Sequence, residues 1–299
     1  MKSVALMIFF AFLGLAVGLF VGGYACKGSP LQEEKKVNPV SDEKRLKDEI
    51  GVLIGGLTSA NIDERIFCSK RLSELTGLFF DYNPTASEEE RNEGVRRWRI
   101  WWDKAKERSP DEWLSDALKD KNYHYRAQAA FILGRRGQKS GIPALKEALK
   151  DDDMRVREAA VFALGMLNDE TSVSELSELA VNDLEPSVRI AAVNALAAVG
   201  SKGWDSLSSI ADKLKDVPTL FVAADALGVS NNRERLVVVL GRLLDTSDRV
   251  AVQFALKRIG ERQITELKVR VKELENTVTD ETTKRLIEKT LERLGEKKQ

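Results

Sequence analysis

AQAAFILGRRG (127–137), EAAVFALGMLN (158–168) and IAAVNALAAVG (190–200) are one helix written three times, and FVAADALGVSN (221–231) and VAVQFALKRIG (250–260) write it twice more. The leucines that anchor these segments, Leu133, Leu164, Leu196, Leu227 and Leu256, stand 31, 32, 31 and 29 residues apart. Four residues before each anchor lies a small or modest side chain: Ala129, Ala160, Ala192, Ala223 and Val252. That offset is about one helical turn, so each pair falls on one apolar stripe. A second series, Leu114, Leu145, Leu176, Leu207, Leu236 and Leu267, interleaves at spacings of 31, 31, 31, 29 and 31. It opens a second helix in each period, as in PALKEALKDDD (143–153) and SELSELAVNDLE (174–185). Every period therefore holds a helix A and a helix B. Asp151, Asp152, Asp153 and Pro186 mark their boundaries, as capping and helix-starting residues do. One such hairpin cannot bury both its faces, so the units must stack into an all-α solenoid.

The interleaved leucines and small-residue slots resemble HEAT repeats, in the short form also called phycobilisome-lyase-type HEAT-like repeats. The resemblance covers roughly residues 110–278. It implies a right-handed α-solenoid of helical hairpins whose B helices line the concave side. It also implies an intramolecular ladder of Asp and Arg at the entry to each helix A. Arg126, Arg157 and Arg189 recur at that entry, Asp153 stands four residues before Arg157, and Phe221 occupies the place of the next Arg.

The array extends backward. ERIFCSKRLSELTG (64–77) fits helix A, with Leu72 as its anchor and Cys68 in the small-residue slot. Leu72 and Leu133 are 61 residues apart, two periods, so a further helix A is expected between them. RRWRIWWDKAKER (96–108) fills that place with Trp98, Trp101 and Trp102, after an aromatic-rich loop, FFDYNPTASEEERNEG (79–94), in the slot of a helix B. This stretch also resembles one found beside HEAT repeats in exported bacterial proteins, which implies a recurrent structural unit. Spacings of three and four let all three tryptophans face a neighbouring helix. Basic residues mixed with aromatic ones can instead hold a glycan or a lipid headgroup. At the other end, TKRLIEKTLERLG (283–295) reads as a capping helix, with Ile287 and Leu291 repeating the four-residue offset.

The first residues, MKSVALMIFFAFLGLAVGLFVGGYAC (1–26), carry Lys2 and then no charge from Ser3 to Cys26. A run of about twenty apolar residues spans a bilayer core. Three readings stay open: a retained membrane anchor, a cleaved secretory signal, and a lipoprotein signal with Cys26 as the lipidated residue. Gly14, Gly18 and Gly22 share one face, a spacing that lets two membrane helices pair. Each reading exports the rest of the chain. Residues 27–45, polar with two prolines, are expected to be a flexible tether. The expected organisation is thus a membrane-targeting segment (1–26), a tether (27–45), atypical helical units (46–109), HEAT-like repeats (110–278) and a cap (279–299).

Composition narrows function. The chain has 299 residues, with 47 Lys and Arg against 47 Asp and Glu, one His and two Cys. A balanced charge argues against non-specific nucleic-acid binding, and the Cys and His supply is too small for a zinc site. Cys68 reads as a packing residue and His124 as a structural or solvated turn residue, with no catalytic partners in sequence. No phosphate-cradling loop appears, and no cofactor is expected. The B helices offer a polar surface of mixed sign, from Lys146, Glu147 and Lys150 through Ser206 and Ser209 to Arg235 and Arg242. Such a surface suits a protein or peptide partner. The reading is a membrane-tethered, extracytoplasmic scaffold or adaptor without catalysis of its own. The resemblance implies, as an alternative, a chromophore lyase that cradles a tetrapyrrole. A second alternative is envelope glycan or lipid binding through the tryptophan helix.

Overall fold

The computed structural model describes residues 39–229 and 232–295. The expectations for residues 3–26, including Cys26 and the Gly14, Gly18, Gly22 row, lie outside these. Among the described residues every regular element is helical, and no helix is long and apolar enough to cross a membrane. In order they are α1 (Pro39–Gly56), α2 (Ile62–Thr76), α3 (Glu88–Ala105), α4 (Pro110–Ala117), α5 (Tyr123–Arg136), α6 (Ile142–Ala148), α7 (Met154–Met166) and α8 (Val173–Asn182). Then follow α9 (Pro186–Val199), α10 (Ser201–Ile210), α11 (Val217–Val229), α12 (Arg233–Leu244), α13 (Arg249–Arg262), α14 (Lys268–Leu274) and α15 (Glu281–Arg293).

Helix α1 already includes Pro39–Arg45, which shortens the expected tether. Proline is tolerated in a first helical turn, where its missing N–H has no intrahelical partner. The compact body begins at Leu46.

The A helices are α5, α7, α9, α11 and α13, and the B helices between them are α6, α8, α10, α12 and α14. The anchors Leu133, Leu164, Leu196, Leu227 and Leu256 are fully buried, as are Ala129, Ala160, Ala192 and Ala223. Small residues set how closely successive A helices approach. A Cβ added at Gly134 would lie 2.6 Å from Ala163 Cα, and one added at Gly165 would lie 3.1 Å from Ala195 Cα. Helix starts are capped as their sequences dictate. Asn122, Asp153 and Asp248 accept hydrogen bonds from N–H groups of the first turn, and Pro186 begins α9. At the C-terminus α15 buries Ile287 and Leu291.

The front of the array departs from the expected register. Helix α2 lies directly against α5: Gln128 Nε2 donates to Ser73 O at 3.0 Å and to Ser73 Oγ at 3.1 Å. A Cβ on Gly77 would stand 3.4 Å from the Ala129 backbone. No helix A is therefore missing between Leu72 and Leu133. Helix α2 is the A helix and α4 the B helix of one unit, and residues 78–109, with α3, are inserted between them. The 61-residue spacing mimics two periods because the insert is about as long as one repeat.

Tryptophans hold the insert in place. Trp98 and Trp113 are almost fully buried, whereas Trp101 and Trp102 are half-buried. Phe80 meets Trp98 edge-on at 4.8 Å, and Trp113 meets Trp101 and Trp102 at 5.6 and 5.8 Å. Trp113 Nε1 donates to Ala105 O at 2.6 Å, and Tyr82 Oη donates to Leu57 O at 2.6 Å.

Candidate functional site

The arginines at the start of the A helices form a ladder by a different pairing from the one expected. Arg126 donates from Nε and Nη2 to Asp151 at 2.7 and 2.8 Å. Arg157 does the same to Asp183 at 2.8 and 2.9 Å, and Arg189 Nε donates to Asp216 at 2.7 Å. Each arginine also turns Nη1 back to the carbonyl six residues earlier, Asp120, Asp151 and Asp183 in turn. Asp151 and Asp183 thus accept from two successive arginines, one at the side chain and one at the backbone.

Asp153 does not take part as expected. As the cap of α7 it accepts from the Arg155 N–H at 2.9 Å and pairs with the Arg155 guanidinium. A carboxylate four residues before an arginine sits at the helix cap, too close in the chain to reach across a repeat. The aspartate six residues before opens the turn and faces the preceding unit. Arg65 is a further member that sequence reasoning missed. Its Nη1 donates to Ser59 O at 2.7 Å, while its Nε meets Pro84 O of the insert at 3.0 Å. In the register set by the anchor leucines, Leu220 rather than Phe221 holds the next position, and it is buried.

The B-helix residues are partly spent within the fold. Lys146 pairs with Glu175 at 2.7 Å and donates to Thr171 O. Arg242 donates to Ala211 O at 3.0 Å, and Arg235 is half-buried. Ser206 and Ser177 share a hydrogen bond of 2.6 Å, and Ser209 donates to Ser206 O. Glu147 and Lys150 remain exposed, 4.0 Å from each other.

Cys68 is buried, and burial, then Glu64, raises its thiol pKa. His124 stacks against Tyr123, and burial, then Arg155, lowers its pKa.

The outward face of the A helices carries what the sequence reading overlooked. Phe131 and Phe162, each two residues before its anchor leucine, stack at 5.7 Å. Phe221 and Phe254 meet edge-on at 4.5 Å further along. Asn194 and Asp225 hold the corresponding places of α9 and α11. One turn before Phe162, Glu158 is half-buried, and burial raises its pKa against a weaker opposing contact with Ser187. The recurring two-before-anchor position was legible in the quoted segments, where phenylalanine fills it three times.

Residues 112–197 match the family model for HEAT repeats. No curated protein matches the chain. Among solved structures, the complex of CpcE and CpcF of phycocyanin lyase from Nostoc is similar at 18% identity, covering 90% of this chain and 99% of that one with a TM-score of 0.38. YibA of Escherichia coli is similar at 15% identity, covering 88% and 98% with a TM-score of 0.45. A designed armadillo repeat protein follows at 16% identity, covering 61% and 98% with a TM-score of 0.36. Residues 112–197 are thus HEAT-like repeats, and the same helix pair recurs after them through α14.

Proposed function

We propose that this protein is a scaffold that binds another protein or a peptide along its A helices, and that residues 3–25 hold it at a membrane with the repeats outside the cytoplasm. The observation that carries the binding reading is the set of half-buried aromatic side chains on the A helices, Phe131 on α5, Phe162 on α7, Phe221 on α11 and Phe254 on α13. Rigid aromatic groups in a desolvated setting are typical anchors of protein interfaces. The ladder and many B-helix polar groups are used inside the fold, which leaves the A face as the better candidate. The uncharged run from Ser3 to Cys26 supports the tether and the export.

Crosslinking in intact membranes, followed by identification of the attached protein, tests the reading. A discrete partner crosslinked through the A helices is expected. A wholly soluble chain without a partner, or one that purifies with a bound pigment, would overturn it.

A further inference from the structure

We propose that the outward faces of α5 and α7 form a receptor for a lysine or arginine side chain of a peptide partner, seated against the Phe131–Phe162 ring pair and the Glu158 carboxylate. This deepens the protein-binding reading above and rests on it.

The two rings are stacked at 5.7 Å with 13° between their planes. They stand at equivalent positions of adjacent A helices, half-buried. One turn earlier, the equivalent positions hold Ala127 on α5 and Glu158 on α7. On the α5 side the equivalent position thus carries only the methyl group of Ala127. On the α9 side stands Ser187, whose buried hydroxyl has no well-formed hydrogen bond.

The charge on Glu158 is the informative feature. The neighbouring carboxylates are matched: Asp151 by Arg126, Asp153 by Arg155 and Asp183 by Arg157. Glu158 forms no ion pair among the described residues, although it is more shielded from water than most surface glutamates. A half-buried carboxylate without a counter-charge weakens the fold that holds it, so an arriving cation gains what the free protein lacks. The aromatic faces beside it attract a cation and accommodate its alkyl stem. Arg135 already lies 5.8 Å from the Phe131 ring, toward the C-terminal end of that face, and leaves the Glu158 end open. A partner with an acidic residue at this point would be repelled.

The occupant is an extended peptide rather than a lone amine, because the face continues. Ile190 and Phe221 follow Glu158 in register on α9 and α11, and Asn194, Asp225 and Phe254 follow Phe162 on α9, α11 and α13. Four helix-to-helix steps of about 8–10 Å each match about ten to twelve residues of extended chain.

The test is a random twelve-residue peptide library displayed on phage and panned against the full-length chain in detergent micelles. The enriched peptides should share a lysine or arginine flanked by apolar residues. The best synthetic peptide should lose at least about tenfold in affinity with Glu158→Gln or Phe162→Ala, a modest share of what a desolvated charge pair contributes. The exposed control Glu273→Gln should leave its affinity unchanged. Thermal melting of Glu158→Gln should be unchanged or raised, since no intramolecular ion pair is lost.

Absence of enrichment, enriched peptides without a cation, undiminished binding to Glu158→Gln, or a marked fall in its melting temperature would each overturn the site. If crosslinking still finds a partner whose contact survives Glu158→Gln, the scaffold reading stands and only this site falls. If the peptides behave as expected but membranes yield no partner, the peptide-binding part of that reading stands with the site and its membrane placement falls.

Discussion

Arg157 holds Asp183 with a two-pronged bond, Nε and Nη2 donating to the two carboxylate oxygens at 2.8 and 2.9 Å, while its Nη1 is anchored on the Asp151 carbonyl at 2.8 Å. The Asp183 side chain is only 4% exposed. Removing one member of such a pair strands the other away from water. Asp183→Ala should therefore destabilise the repeat domain by about 3–5 kcal/mol, read by chemical denaturation. Arg157→Lys should retain a large part of that loss, because an ammonium cannot form the planar fork.

The ladder also sets the response to acid. Burial by itself would raise the pKa of Asp183, but the Arg157 side chain and the Glu185 N–H outweigh it, and the net shift is downward. Asp151 and Asp216 are lowered against burial in the same way, by Arg126 with the Asp153 N–H and by Thr219 with Arg189. A carboxylate with a lowered folded pKa contributes stability above its unfolded value, near pH 4, and loses it as the pH falls through the folded value. Melting temperature should hold on the neutral side and drop below about pH 4. Asp183→Asn should make that drop shallower.

Glu158 should behave with the opposite sign. Its pKa is raised, chiefly by burial, so its ionised form opposes folding at neutral pH. Glu158→Gln should stabilise the protein above about pH 4.3, the ordinary unfolded value, with the gain disappearing at lower pH. Paired melts of the two proteins across this range measure it.

Glycine has two different tasks here, and alanine substitutions separate them. At Gly134 a helix would gain about 1 kcal/mol from alanine, but the new Cβ would meet the Ala163 backbone at 2.6 Å. Overpacking of this kind costs about 1–3 kcal/mol or more, so Gly134→Ala should destabilise, and adding Ala163→Gly should recover part of the loss. Gly137 adopts φ +68° with open space around it. Gly137→Ala should cost about 1–2 kcal/mol through backbone conformation alone, with no rescue by any neighbour. Thermal melts of the single and double variants give the comparison.

Trp98 is 1% exposed, and its Nε1 has no hydrogen-bond partner. Trp98→Ala should cost about 3–5 kcal/mol, whereas Trp98→Phe keeps most of the apolar contact, loses no bond and should cost less. Limited proteolysis of Trp98→Ala should cut first within 78–109, while α2 stays docked on α5 through Gln128 and Ser73.

The repeats were legible because each places a fully buried leucine at a fixed interval, and burial of that kind tolerates little but leucine and alanine. Register across the insert was not legible. A segment about one period long leaves the spacing from Leu72 to Leu133 unchanged modulo the repeat, and it takes the contacts of Gln128 with Ser73 and of Gly77 with Ala129 to distinguish an added helix from an added repeat. The ladder was half legible. Asp120, Asp151 and Asp183 each stand six residues before an arginine, a constant spacing present in the sequence, but Asp153 at four residues drew attention to a helix cap instead. Glu158 was hidden for another reason: a glutamate on a helix reads as solvated until the packing of its neighbours is known.

The double use of Asp151 and Asp183 decides where this chain can be shortened. A polypeptide ended after Gly200 keeps α9 whole by helix boundaries, yet it loses Asp216 and leaves the Arg189 guanidinium without its carboxylate. Ending it beyond Asp216 and Thr219, partway into the following helix, retains that partner at the expense of a ragged apolar end. Trimming by repeat count and trimming by polar connectivity therefore give different endpoints, and a minimal folded fragment should be cut by the second rule with a polar cap such as α15 rejoined to cover the exposed face.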